Sequence, residues 1–110
     1  MMGLDQLPPE LFKHWIQSRE DRDDRKNISV YRSSDYPFPP SRGRRGFEIK
    51  RNGEFILHEI GRTDRPVRVV GKYTVEGTDS IKIYLEDKNP FILRIVAIED
   101  DGRILRVERM

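Results

Sequence analysis

The stretch that decides the fold is residues 67–109, VRVVGKYTVEGTDSIKIYLEDKNPFILRIVAIEDDGRILRVER. It reads as four strands in a row. Residues 67–75 turn at Glu76-Gly77-Thr78-Asp79, residues 80–85 at Asp87-Lys88-Asn89-Pro90, and residues 91–98 at Asp100-Asp101-Gly102, and residues 103–109 form the last strand. The strand bodies are rich in Val, Ile, Tyr and Phe, and the breaks are Gly, Asp, Asn and Pro. Links this short join only antiparallel neighbours. The C-terminal part is therefore a meander that the rest of the chain extends.

Working outward, Asn52-Gly53 stands between the alternating segments 47–50 and 55–58. This is a hairpin signal, because both residues of a two-residue turn must tolerate positive φ. Residues 28–32 read as a further strand. Residues 13–18 read as a first strand carrying the sole tryptophan, Trp15. Before it, Leu7-Pro8-Pro9-Glu10-Leu11-Phe12 reads as one short helical turn, since proline suits the first helical position. Its Leu7, Leu11 and Phe12 are expected to fold over an open end of the core. Residues 19–27 mix four acids with four bases and read as a solvated turn, not a calcium loop. Residues 33–45 hold Pro37, Pro39 and Pro40 and cannot be a central strand.

The count is about eight antiparallel strands, linked sequentially, in a single domain spanning residues 1–110. The expected class is all-β, an up-and-down barrel with a short N-terminal helical turn; closure removes exposed sheet edges. A two-sheet sandwich is the alternative, but it more often needs several long crossovers. Period-two alternation assigns Phe47, Ile49, Tyr73, Val75, Ile81, Ile83, Leu85, Leu105 and Val107 to the interior. The strand 55–60 alternates with either face inside. Residues 91–98 are apolar on both faces except Arg94, which suggests a bulge or a passage under the N-terminal turn.

Composition narrows the function classes. Charged residues are 36% and apolar residues 35%, yet the net charge is only +2. A nucleic-acid binder more often carries a larger, one-sided excess. Cysteine is absent from the sequence, so no disulfide or thiolate chemistry is expected. No stretch approaches the roughly 20 apolar residues of a membrane helix, and no leader pattern is evident. A cytoplasmic setting is the expectation.

The pattern resembles small lipocalin-like barrels of the calycin type. Those open with a Gly-x-Trp strand whose tryptophan plugs one barrel end, with an arginine of the last strand across it. Trp15 stands near the start here, Arg106 and Arg109 lie on the last strand, and Gly71-Lys72-Tyr73 repeats a Gly-x-aromatic opening. The resemblance implies that Trp15 is a structural plug packed by Arg106 or Arg109. Lys13 stands where the family carries glycine, and the chain is shorter than a full lipocalin.

An eight-stranded barrel is either filled by side chains or holds one small ligand. The first reading is a binding module for a small apolar or amphipathic, anionic ligand. Phe47, Phe55, Tyr73 and Ile83 would line the pocket. The long loop supplies Tyr36 and Phe38 beside Arg42, Arg44 and Arg45, whose guanidinium forks suit a carboxylate or phosphate at the mouth. The competing account of these arginines is a solvated loop paired with Asp35 or Glu48. The other readings are a filled structural barrel that contacts a protein partner, and a cofactor-free isomerase or cyclase using Glu59 or Gln17. His14 and His58 are far apart in sequence without close-spaced partners, so neither a metal site nor a cofactor is expected. No catalytic residue is assigned.

Overall fold

The computed structural model describes residues 7–21, 23, 25, 27–40, 43–61, 65–86 and 88–110. A 3-10 turn over Pro9–Leu11 precedes eight strands: β1 His14–Gln17, β2 Ile28–Ser33, β3 Gly46–Ile49, β4 Glu54–Ile60, β5 Pro66–Val75, β6 Ser80–Leu85, β7 Phe91–Glu99 and β8 Ile104–Arg109. All eight close into one antiparallel barrel.

From β3 to β8 the strands pair in chain order. At the seam the order changes, because β1 lies between β2 and β3, and β2 pairs with β8. With β1 antiparallel to both, β2 and β3 run the same way. Residues 34–45 must therefore travel the length of β1. Ser34 N–H donates to His14 O at one end of β1, and Gln17 N–H donates to Arg45 O at the other. The long proline-bearing segment is thus a crossover along the outer wall. This is the one place where the links are not between neighbouring strands, and it falls on the one loop long enough to do it.

The seam is tight. A Cβ at Gly46 would run into the Trp15 carbonyl oxygen and come within 3.1 Å of the Ile16 Cα. Backbone cannot yield there without opening the β1–β3 pairing. Gly46→Ala is expected to cost about 1–3 kcal/mol, as overpacking does. Equilibrium urea unfolding reads this directly, and an unchanged midpoint would show that the seam has slack.

Turn chemistry sets the other links. The β3–β4 connection spans residues 50–53, with Gly53 N–H donating to Lys50 O. Gly53 alone takes a positive φ, 90°, and Asn52 does not. The loop is longer than the two-residue turn that Asn-Gly suggests, so a single left-handed glycine closes it. The β7–β8 turn places Asp100, Asp101 and Gly102 all at positive φ. A bulge between Ile95 and Ala97 shifts the phase of β7. It explains why that strand is apolar on both faces: Leu93 and Ile95 face inward before the bulge and Ile98 after it.

The interior assignments hold. Phe47, Ile49, Tyr73, Ile81, Ile83, Leu85, Leu105 and Val107 are buried in one cluster, and Val75 packs against it. Phe55 and Leu57 also contact this cluster, which settles the phase of β4. The turns at 50–53, 76–79 and 100–103 gather at one end with the Pro9–Leu11 turn, where Lys13 Nζ donates to Gly102 O. Leu7, Leu11 and Trp15 close that end, each almost or wholly inaccessible. Trp15 Nε1 donates to Leu11 O at 2.9 Å.

The plug differs from expectation in its cation. Arg106 points outward, between Leu105 and Val107, and pairs with Glu99 and Asp23. Arg109 shares the inward phase but sits at the far end, 4.2 Å above the Phe91 ring. Lys13 takes the place over Trp15, 5.1 Å from its ring. The reason is position: Trp15 is level with the start of β8, whereas Arg109 ends it.

Candidate functional site

Among the described residues, the end opposite the plug is open. Around it stand the last residue of β1, the first residues of β2 and β7, the end of β8, and Arg45 just before β3. A cavity of about 260 Å³ enters the barrel there, and Tyr31, Phe47, Phe55, Leu57, Leu93 and Val107 form its apolar walls. Gln17, Ser29, Arg45, Glu59, Lys88 and Arg109 supply its polar side and rim. A wider depression of 640 Å³ lies at the plugged end between Pro8, Glu10, Ile95 and Ile98, and one of 580 Å³ lies on the outer wall along Val70 and Tyr84. The 260 Å³ cavity is walled by aromatic side chains of the barrel interior, which is where ligand sites of such folds lie.

The aromatic wall is continuous. Tyr31 and Phe47 rings are 4.6 Å apart, and Phe47 stacks on Phe55 at 5.3 Å. Burial pushes the Tyr31 hydroxyl pKa up, against the pull of Arg109 and Arg45. That hydroxyl has no hydrogen-bond partner among the described residues, so it is a donor offered to the cavity. At the rim, Lys88 Nζ lies 3.4 Å from the Glu59 carboxylate. Neither Arg45 nor Arg109 has a carboxylate partner among the described residues. Among the described residues, the mouth thus presents two guanidinium groups without a carboxylate partner above an apolar chamber, that of Arg109 resting on the Phe91 ring.

The sequence-derived site is partly assembled here. Arg45, Phe47 and Phe55 line the cavity. Tyr73 and Ile83 lie deeper, in the packed half. Tyr73 donates to Lys50 O at 2.5 Å, and burial pushes its pKa up to about 12. Tyr36, Phe38 and Arg44 are not at the mouth, because the crossover holds them on the outer wall. There the Arg32 guanidinium lies 4.2 Å over Tyr36, and Arg44 lies 4.6 Å over Phe38. Arg44 makes a bidentate pair with Glu20, at 2.9 Å and 2.8 Å, in place of the expected Asp35 or Glu48. Those bonds hold the Glu20 carboxyl down to about 2. Arg42 falls outside the described residues.

The acid-rich loop is likewise tied down. Asp21 accepts from Arg32 and Ser18, and Asp23 from Arg25 and Arg106. Hydrogen bonds from Arg32 and from Arg25 hold the two carboxyls below the usual range. Asp21 and Asp23 thereby join β2 and β8 through Arg32 and Arg106, while Glu20 holds the crossover through Arg44. Single exposed pairs of this kind contribute little each.

Comparison with protein-family models, with curated proteins and with solved structures finds no match for this chain. The site is therefore argued from its own geometry. Sequence reasoning missed Tyr31, Ser29, Phe91, Leu93 and Arg109 as cavity residues. Period two in β8 carried the signal for Arg109, which shares the phase of Leu105 and Val107. Tyr31 shares the phase of Ser29 and Ser33, so its strand looks polar on the inner face.

Strand pairing also gathers a group on the outer wall. Glu48 Oε1 is 3.2 Å from His58 Nε2 and 3.9 Å from His14 Nδ1. The two imidazole rings are 4.5 Å apart. Burial and the neighbouring His58 lower the His14 pKa, while Glu48 opposes them.

Proposed function

We propose that the protein is a lipocalin-like binding module for one small amphipathic anion, taken body-first into the open end of the barrel. The observation that carries this reading is the pair Arg45 and Arg109, without a carboxylate partner among the described residues, at the rim of an apolar cavity lined by Tyr31, Phe47 and Phe55. A 260 Å³ chamber suits a single substituted ring or a short acyl chain. An apolar cavity of about 150 Å³ is enough to take up benzene. The carboxylate or phosphate end would meet the guanidinium forks, and the Tyr31 hydroxyl would donate to a polar atom inside.

The resemblance to lipocalins supports this reading through architecture: a plugged end and an open end. A soluble setting such as the cytoplasm fits the outward positions Lys72, Lys82, Arg94, Arg106 and Glu108, which place charge where a lipid-spanning barrel needs an apolar band. The isomerase or cyclase reading keeps its requirement of a polar group at the cavity, since Gln17 and Glu59 both border it.

The test is a calorimetric titration with medium-chain fatty acids and aromatic carboxylates, each beside its neutral amide. One equivalent of carboxylate is expected to bind, and the amide more weakly. The arginines stand at an exposed rim, so the Arg45→Ala/Arg109→Ala variant should lose about tenfold in affinity. Equal binding of acid and amide, or an unaffected double variant, would remove the anion from the reading. Absence of any saturable binding would favour a filled barrel that contacts a protein partner.

A further inference from the structure

We propose that His14, Glu48 and His58 form a three-ligand site for a divalent transition-metal ion on the outer wall of the barrel. The three belong to adjacent strands, β1, β3 and β4. His14 is directly opposite Glu48, and His58 is directly opposite Gly46. Strands are spaced about 4.8 Å apart, so side chains on β1 and β4 ordinarily stand nearly 10 Å apart across β3. Here the two imidazole rings lie 4.5 Å apart, on the diagonal across β3. The Glu48 carboxylate closes the third corner.

The spacing is that of a coordination shell. Tetrahedral ligands at about 2.0–2.1 Å from an ion lie about 3.3–3.4 Å from one another. The carboxylate oxygen is 3.2 Å from one imidazole nitrogen and 3.9 Å from the other. All three ligand atoms lie within 4.8 Å of each other. Small side-chain rotations about an ion replace the present His58···Glu48 hydrogen bond with metal bonds. Two imidazoles and one carboxylate are borderline donors that suit Zn²⁺, Co²⁺, Ni²⁺ or Fe²⁺ rather than Mg²⁺ or Ca²⁺.

The surroundings are mixed. Ile16 and Ile56 occupy the neighbouring outward positions, directly across from Gly46 and Glu48, and Arg68 stands across from His58. The arginine disfavours a cation by charge, and it is exposed and free to turn outward. The three ligands are each about one-quarter to one-third accessible, which leaves a fourth position for water or an outside ligand. The site is separate from the anion reading: His58 borders the mouth, but the ligand atoms gather outside the wall.

The experiment uses the full chain stripped with a chelator, titrated with ZnCl₂ by calorimetry and with CoCl₂ by visible absorption. One equivalent should bind, and the cobalt complex should show the d–d bands of a four- or five-coordinate ion. Glu48→Gln and His58→Ala should each weaken zinc by about tenfold or more, the scale seen even for losses outside the ligand shell. Glu54→Gln, in the same hairpin but outside the cluster, should bind as the parent does. The circular dichroism of each variant is compared with the parent to show that the barrel is intact. A stoichiometry of zero, affinity only in the millimolar range, or zinc binding that survives both Glu48→Gln and His58→Ala would overturn the site.

Discussion

Trp15→Ala is expected to lower stability by about 3–5 kcal/mol, the range for deleting a buried aromatic side chain. Three effects act together. The indole is fully inaccessible and joins the Leu7 and Leu11 side chains to the interior of the barrel. Its Nε1–H donates to the Leu11 carbonyl, which also accepts from the Lys13 N–H, so truncation removes one of that acceptor's two bonds. Lys13 loses the ring face on which its ammonium rests. The Pro9–Leu11 turn depends on docking, through Leu7, Leu11 and the indole, because a single 3-10 turn has no stability of its own. It should undock, exposing the floor of the barrel. With a urea slope of about 1–2 kcal/mol per molar for a domain of this size, the midpoint falls by roughly 1.5–5 M. Trp15→Phe separates the contributions, since it keeps most of the packing and removes only the hydrogen bond; a loss of about 1 kcal/mol is expected. A near-parental midpoint for the alanine variant would contradict the plug.

How much of this was legible beforehand follows from what kind of information each feature needs. Strand positions were readable because Gly, Asp, Asn and Pro punctuate the chain at regular intervals, and the buried set because period two is a local property. The role of Trp15 was legible as a plug, but its cation was not. That choice depends on how far along β8 the ring sits, which is a matter of register. The crossover was written in the length of residues 34–45, yet length alone does not say which strand is crossed. Once β1 lies inside the β2–β3 link, Tyr36, Phe38 and Arg44 are carried to the outer wall and only Arg45 reaches the mouth. The His14, Glu48 and His58 group was hidden for the same reason. Ligand spacing in a sequence is a signal when the ligands share one loop or helix. Here three strands supply one residue each, and only their register brings the rings together.

Phe55→Ala should have an effect as large as the plug variant but a different signature. The ring is almost wholly buried and stacks on Phe47 at 5.3 Å. It stands where the packed half of the barrel meets the chamber, and it lines that chamber. Removing it costs about 3–5 kcal/mol if the neighbours stay in place. The rigid sheet limits their collapse, because Phe55 pairs with Ile49 on one side and Gly71 on the other. The space released therefore adds to the 260 Å³ already open to the mouth. An apolar cavity reachable from solvent can be refilled by a ligand of matching shape. Binding to the folded state alone raises its stability in proportion to the logarithm of ligand concentration over Kd. Saturating benzene, or a small aromatic carboxylate, should then raise the unfolding midpoint of Phe55→Ala more than that of the parent. Thermal unfolding with and without the additive reads both effects in one experiment. A variant within about 1 kcal/mol of the parent would show that Phe55 is not part of the packed wall. A destabilised variant that gains nothing from the additive would show that the released space is closed off from the mouth, and that the chamber does not reach as deep as Phe55.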